Sequence, residues 1–353
     1  MYSTIFIIGS AGIPSKYGGF ETFAENISKL LISNYRISVA CSSKLYKKDE
    51  YKSAWNCIDR FFIPLSPHGI SGIIYDAVSI LKAYRNADHV ILLGCGAGFL
   101  LMFLPRSFRK KIIVHIDGLE WKRKKWNVLV KAYLHYNTKI AMHYAGKIIV
   151  DSNSLEAYIP NRYKSKILSI SYGGDHLPDV KRKKVHLNQF ALVIGRAEPE
   201  NNLHVLISAF TEIQELDLII ISNWESTRYG RKLIRKYAHN QNIILLNAEY
   251  NKVKLQHYRI QCKYYIHGHS CGGTNPSLVE AMYSGLNIIS YDNEFNRTTT
   301  NNLAKYFKTK EQLVEKIRAL ETGQAADNSI KIRAYALEHY TWNKVVSEIN
   351  LNL

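Results

Sequence analysis

Three strand-to-helix joints in this sequence gather glycine, arginine and small polar residues in a way that suits phosphate chemistry. The first is "GSAGIPSKYGGFETFAENISKLL", residues 9–31, where four glycines and a proline crowd the entrance of a helix. Peptide N–H groups there, with the positive end of the helix dipole, can close over an anion. The spacing is neither GxGxxG nor a P-loop ending in GK[ST], which argues against a nicotinamide dinucleotide and against a Walker-type site. The second joint is "VIGRAEPENNLHVLISAF", residues 193–210. Arg196 stands at the tip of a strand, where a guanidinium can fork two hydrogen bonds onto a phosphate. The third is "HGHSCGGTNPSLVEAMYSG", residues 267–285, with a Gly-Gly-Thr-Asn-Pro-Ser loop before a helix and Glu280 one turn inside it. A carboxylate so placed can grip a ribose diol. Each joint also has a plain reading: a glycine turn, an interdomain salt bridge for Arg196, and for Glu280 an acid that is favourable near any helix start. Together they imply a nucleotide diphosphate held between two domains.

The elements that must position these joints follow from hydrophobic periodicity. Apolar runs at Thr4–Ile8, Arg36–Cys41, His89–Leu93, Lys111–Ile116, Lys147–Val150 and Lys166–Ile170 read as strands, separated by amphipathic stretches such as Glu21–Ser33 and Ile70–Arg85. This alternation predicts an α/β fold with parallel sheets covered on both faces. The pattern pauses at the charged "GGDHLPDVKRKKVHLNQ" and restarts with "FALVIG", giving a second doubly wound unit. The expected organisation is a first doubly wound domain over 1–178, a linker over 179–189, a second doubly wound domain over 190–329, and a terminal helix over 330–353 that crosses back to the first domain. The apolar run Val90–Leu104 contains three glycines and reads as strand, turn and buried helix; at 15 residues it is too short to span a bilayer.

Composition narrows the partners. Lys and Arg total 47 against 29 Asp and Glu, a net charge of +18, so an anionic partner is expected. The stretch Pro105–Lys147 carries eleven basic and two acidic residues, interleaved with Trp121, Trp126, Tyr133, Tyr136 and Tyr144. That mixture suits the headgroup layer of an anionic membrane, and equally a solvated helix face. The five cysteines are scattered without a CxxC pair, which argues for reduced thiols and against a zinc site or disulfide framework. The N-terminus reads as a first strand and not as a signal peptide.

With these residues in view, the chain resembles glycosyltransferase family 4, of GT-B fold, over essentially its whole length. "GIPSKYGGFETF", "DGLEWKR", "EPENN" and "GHSCGGTNPSLVEAM" are similar to the bacterial rhamnosyltransferase-type subgroup of capsule and O-antigen synthesis. The resemblance implies two facing Rossmann-like doubly wound parallel-sheet domains with an interdomain cleft. It also implies a retaining, metal-independent enzyme with no cofactor beyond its donor. The donor is a nucleotide-diphosphate hexose or deoxyhexose, with deoxythymidine-diphosphate L-rhamnose favoured. On this reading Arg196 takes the diphosphate, Glu280 the ribose, and Gly18 and Gly19 close over the diphosphate from the other domain. Asn201, His269, Gly273, Thr274, Asn275 and Ser277 line the donor, while Tyr17, Asp117 and Glu120 face the sugar and acceptor. Asp117, Arg196 and Glu280 form the catalytic set. Two positions depart from the family pattern: Asn201 stands where a lysine is usual, and Gly272 where the first glutamate of Glu-x7-Glu is usual.

The implied acceptor is a glycan on a polyprenyl diphosphate, met by a cytoplasmic enzyme lying on the anionic inner face of the plasma membrane. A nucleotide-sugar 2-epimerase of the same fold is the alternative, separable by its independence of acceptor. A nucleic-acid-binding protein is a further alternative; the charge permits it, but no RRM, KH or helix-turn-helix pattern is present. Nucleic acid is therefore not an expected partner.

Overall fold

The computed structural model describes residues 2–16, 18–116, 118–123, 125–181 and 189–353, so most of the charged stretch proposed as a linker (182–188) lies outside the described residues. The chain forms two compact units. The first comprises Met1–Lys122, Trp126–Gly173 and Trp342–Leu353; the second comprises Arg123–Lys125 and Gly174–Thr341.

The strands of the first unit are β1 (Thr4–Ile8), β2 (Arg36–Ser42), β3 (Ala54–Trp55), β4 (Ile58–Ile63), β5 (His89–Leu93), β6 (Ile112–His115), β7 (Lys147–Val150) and β8 (Ile167–Ser169). They form one sheet in the order β3-β4-β2-β1-β5-β6-β7-β8. All pairings are parallel except the short β3–β4 contact at the edge. The central strands are runs of Ile, Val and Leu because helices cover both of their faces. Strand order reverses at β1, between β2 on one side and β5 on the other. That reversal is where a doubly wound sheet opens a crevice at the carboxyl ends of its strands.

The second unit contains β9 (Phe190–Ile194), β10 (Asp217–Ser222), β11 (Ile243–Asn247), β12 (Tyr264–His267), β13 (Asn287–Tyr291) and β14 (Lys305–Phe307). Its sheet runs β11-β10-β9-β12-β13-β14, all parallel, and reverses between β9 and β12. Side chains alternate between two cores, as strand geometry requires. Ala191, Val193, Leu218 and Ile220 pack with Leu206, Phe210 and Trp224. Phe190, Leu192, Ile219 and Ile221 pack with Leu278, Met282 and Ala336.

Four features depart from the periodicity reading. β3 and β4 were hidden because Asp59 and Arg60 interrupt the apolar run, and β14 because it is only three residues long. The segment after β5 is not a buried α-helix but a 3-10 turn, Gly98–Phe103, with Phe103 77% exposed. The terminal pattern is two helices rather than one, Ser329–His339 and Trp342–Asn350. The break has a packing cause. Ile332, Ala336 and Tyr340 belong to the core of the second unit, where Gly174 N donates to Tyr340 O at 2.8 Å. Trp342, Val345, Val346 and Ile349 belong to the core of the first. The units therefore change hands at Gly173/Gly174 and Thr341/Trp342, not at 178 and 330.

Trp342 is 3% exposed and meets Phe23 edge-on at 5.9 Å between ring centroids. Trp342→Ala is expected to cost about 3–5 kcal/mol of stability in the first unit, read as a lowered midpoint for that unit's thermal transition.

Candidate active site

In the second unit the loops leaving β9 and β12 emerge side by side, because those strands pair in parallel through Ala191–Tyr264 and Leu192–Tyr265. Close backbone approach holds the loops together. A Cβ on Gly268 would lie 2.2 Å from Asn201 O, so only glycine fits. Asn202, with φ of 50°, donates from Nδ2 to Gly268 O at 2.8 Å. Ser270 donates to Glu200 O from both N and Oγ, at 2.8 and 2.9 Å.

The sequence-predicted residues Arg196, Asn201 and His269 meet at this seam. Asn201 Nδ2 donates to Arg196 O at 2.7 Å, and Asn201 Oδ1 lies 2.8 Å from His269 Nδ1. The amide orientation makes Oδ1 the acceptor, so His269 carries its hydrogen on Nδ1. Burial, reinforced by the positive charges of Arg123, Arg196 and Lys125, holds the His269 pKa well below the usual histidine range. His269 is thus a neutral residue that positions Asn201.

The acids of "EPENN" are engaged within the same unit. Arg123 donates from Nε to Glu200 Oε1 at 2.5 Å and from Nη2 to Glu198 Oε2; Lys125 Nζ adds a 3.2 Å contact to Glu198 Oε1. Burial raises the Glu198 pKa, but Arg196, Arg123 and Lys125 outweigh it and hold the carboxyl below its ordinary value. Arg196 is the loosest member. Its Nη2 stands 3.7 Å from Glu198 and its side chain is 37% exposed. The part of the basic stretch Pro105–Lys147 that follows Trp121 fits neither a membrane-facing nor a fully solvated face. Arg123 and Lys125 are spent on buried carboxylates, while Lys122 lies over the Tyr158 ring at 4.2 Å in the first unit.

At the third joint Asn275 caps the helix Pro276–Tyr283 by accepting from Ser277 N at 3.1 Å. Pro276 occupies the first helical position, where a missing N–H costs no intrahelical bond. Gly273 has φ of 97° and Thr274 is buried. A Cβ on Gly272 would come within 2.8 Å of the Phe295 ring, so a larger residue there requires that ring to shift. The Glu280 carboxylate is gripped by Arg259 Nη2, and by His176 Nε2 at 3.2 Å. Burial alone would raise its pKa; the Arg259 charge and the His176 hydrogen bond bring it to about 2. Neither Arg259 nor His176 was found from sequence. Each is a lone residue on a separate element, and no spacing links it to Glu280.

In the first unit Gly18 and Gly19 stand at the start of the helix Gly19–Leu31. The opening loop differs from expectation: Ala11 N donates to Glu21 at 2.6 Å and Ser15 N to Glu25 at 2.7 Å, so two of its amides serve internal carboxylates. Glu120 accepts from Trp126 Nε1 at 3.0 Å. Tyr17 and Asp117 lie outside the described residues. Near the reversal at β1, half-buried Asp76 lies against Gly96, and burial pushes its carboxyl up to about 7.

Comparisons with known proteins bear on this geometry. Residues 179–337 match the family of group 1 glycosyl transferases, and residues 2–175 match a domain of unknown function, DUF1972. No curated protein matches the sequence. Among solved structures, sucrose-phosphate synthase from Thermosynechococcus elongatus is similar with a TM-score of 0.80 at 13% identity, covering 99% of this chain and 98% of that one. HepE from Anabaena, solved with UDP and glucose, gives 0.72 at 14% identity, covering 99% and 98%. WaaG, a glycosyltransferase involved in lipopolysaccharide biosynthesis, gives 0.70 at 13% identity, covering 98% of each chain. The fold is that of the GT-B glycosyltransferases, with a group 1 glycosyl transferase domain in the second unit, which supports the transferase class.

Two measurements check the electrostatics. Arg259→Gln leaves Glu280 buried with half its support and is expected to cost about 3–5 kcal/mol, read by thermal unfolding at pH 7. The ion pair's contribution is present above pH ~4.5 and lost as pH falls towards about 2, so the variant and the wild type converge in acid. Asp76 has the opposite sign. Its folded pKa lies above the unfolded value of 3.8, so its ionisation destabilises as pH rises through about 7. Asp76→Asn should therefore raise the melting point at pH 8 and leave it unchanged at pH 4.

Proposed function

We propose, from the group 1 glycosyl transferase domain of the second unit and the GT-B fold of the chain, that this protein transfers a hexose or deoxyhexose from a nucleotide-diphosphate sugar to a lipid-linked glycan. The favoured donor is deoxythymidine-diphosphate L-rhamnose, transferred with retention and without a metal, in surface polysaccharide synthesis at the inner face of the plasma membrane. The observation that carries the reading is the seam between β9 and β12. There, a half-exposed arginine, a capped helix N-terminus and an ionised glutamate occupy adjoining loops of one sheet edge.

The roles follow from charge. As the anomeric C–O bond breaks, negative charge grows on the departing diphosphate. Arg196 is assigned to that charge, since its 3.7 Å contact to Glu198 is weak enough to be exchanged for a phosphate. The helix beginning at Pro276 adds the positive end of its dipole. Glu280 is assigned to the ribose hydroxyls; a carboxylate offers about four acceptor sites, so the bonds to Arg259 and His176 leave room for two more. Asn201 and His269 are assigned to shaping the loop that presents Arg196. Asp117, Glu120 and Tyr17, with Gly18 and Gly19, keep the acceptor-side and diphosphate-closing roles that the family resemblance implies.

The test is turnover with a panel of nucleotide sugars and a lipid-linked acceptor. The wild type is expected to release nucleoside diphosphate only when acceptor is present, and Arg196→Ala to lower turnover by about 10²–10³-fold with an unchanged melting point. Acceptor-independent conversion of the donor to its epimer would instead identify a 2-epimerase.

A further inference from the structure

The first unit holds a cavity that the donor chemistry does not use. It measures about 510 Å³ and is lined by Arg106, Arg109, Lys110, His143, Tyr144 and Lys166, among others. Its walls come from the chain just before β6, β7 and β8, at the amino-terminal edge of the sheet. The Gly9–Gly19 loop lies at the opposite, carboxyl edge. The volume falls in the range of small-molecule sites.

The cavity is built for a negative group. None of its four Arg and Lys residues has a carboxylate at ion-pair distance among the described residues. The Arg109 guanidinium rests 4.5 Å from the centre of the Tyr144 ring, and its Nε is buried without a hydrogen-bond partner. Gly146 locks the corner. Its N–H reaches Arg109 O at 3.1 Å and Ile112 O at 3.0 Å, and a Cβ there would lie 2.3 Å from Lys110 O. The helix Val128–Tyr144 ends at the cavity, and its negative dipole end would repel an anion. Lys166 cancels that end by donating to the carbonyls of His143 at 2.9 Å and Ala145 at 2.8 Å.

The surroundings say which anion. Met102 and Phe103, just before Arg106, are exposed. Tyr84 packs edge-on against Phe108 at 5.1 Å, which brings up the helix Gly69–Asn86. Leu81 and Val78 lie on an exposed apolar face of that helix, which continues through Ile74 and Ile70 away from the cavity towards the opposite edge of the sheet. A cluster of cations bordered by exposed apolar side chains matches the interface of an anionic bilayer, with charge at the phosphates and hydrocarbon below them. Among the described residues no helix is long and apolar enough to cross a membrane.

We propose that this cavity binds the phosphate of an anionic lipid headgroup while Phe103 and the apolar face of the helix Gly69–Asn86 enter the bilayer. The inference rests on and deepens the peripheral-membrane part of the proposed function, and narrows the basic stretch Pro105–Lys147 to Arg106, Arg109 and Lys110 as the docking surface. It does not depend on the identity of the donor.

The test is co-sedimentation of the full chain with phosphatidylcholine vesicles, with and without phosphatidylglycerol. The wild type is expected to bind only the anionic vesicles. The triple variant Arg106→Ala, Arg109→Gln, Lys110→Ala should bind them about a hundredfold more weakly, for three cations removed from an anionic surface. Donor turnover on a soluble acceptor should stay the same, so a failure here is distinct from a failure of the transferase reading. A control triple, Lys232→Ala, Arg235→Ala, Lys236→Ala, removes the same charge from an exposed helix face of the second unit. The proposal is overturned if the control loses as much binding as the cavity variant, because attraction is then diffuse. It is also overturned if inorganic phosphate titrates the cavity, seen as a heat signal lost in the cavity variant, while anionic vesicles do not bind. Phe103→Ser, which leaves the cations intact, should weaken vesicle binding; unchanged binding would refute insertion of that face.

Discussion

β9 and β12 are separated by two strands and three helices in the chain, yet they pair in parallel, and the candidate site depends on that pairing. In a parallel sheet every strand delivers its chain to the same edge. Two adjacent strands whose connections depart in opposite directions leave a gap above their ends that no crossover fills. Into this gap the second unit places the tip bearing Arg196, the seam of Asn201 and His269, and the helix start that precedes Glu280. The hydrogen bonds across the seam are short-range, but they exist only because the sheet brings the two loops within reach. Breaking the β9–β12 register by one residue would turn the side chains of one strand to the opposite face.

Electrostatics within this unit is a matter of which charges are already satisfied. The chain has 18 more basic than acidic residues, and while some acids pair at the surface, as Glu212 does with Lys310 and Glu321 with Lys263, those beside the candidate site are withdrawn from solvent. Glu198, Glu200 and Glu280 are buried or nearly so and held by Arg123, Lys125 and Arg259. Each such pair consumes a cation as well. Arg196 stands out because its one carboxylate contact among the described residues is long, to a Glu198 that Arg123 and Lys125 approach more closely. Burial pulls histidine and carboxylate pKa values in opposite directions: His269 is driven to its neutral form, whereas Glu280 stays ionised because a guanidinium lies against it. A neutral histidine can fix an amide; an ionised glutamate can accept hydrogen bonds from hydroxyl groups.

The first unit repeats the same topology with a different use of its acids. Glu21 and Glu25, on the first helix, reach back to the amides of Ala11 and Ser15 and stiffen the glycine-rich loop. Those acids lie in the very stretch whose glycines suggested an anion cradle. Among the described residues the arginines and lysines lining the cavity at the other edge of the sheet have no carboxylate partner, so a cluster of unpaired positive charge lies away from the strand-order reversal.

Much of this was legible in the residues alone. Runs of Ile, Val and Leu alternating with amphipathic stretches state a parallel α/β chain, because only strands buried on both faces tolerate continuous apolar sequence. The three joints were legible too, since glycine, proline and asparagine at a strand end carry specific backbone geometry. What stayed hidden was everything that depends on side chains meeting across distance in sequence. Arg259 and His176 around Glu280, Arg123 against Glu198 and Glu200, and the basic corner at Arg106, Arg109 and Lys166 each join elements that no local pattern relates. The terminal helix shows the same limit: its period is nearly continuous, and only the competing cores that take Tyr340 and Trp342 break it in two. Local periodicity determines which elements form, because backbone hydrogen bonding and side-chain direction are local. Which charge finds which partner is decided by the packed fold, because desolvation and Coulomb attraction act through space and not along the chain.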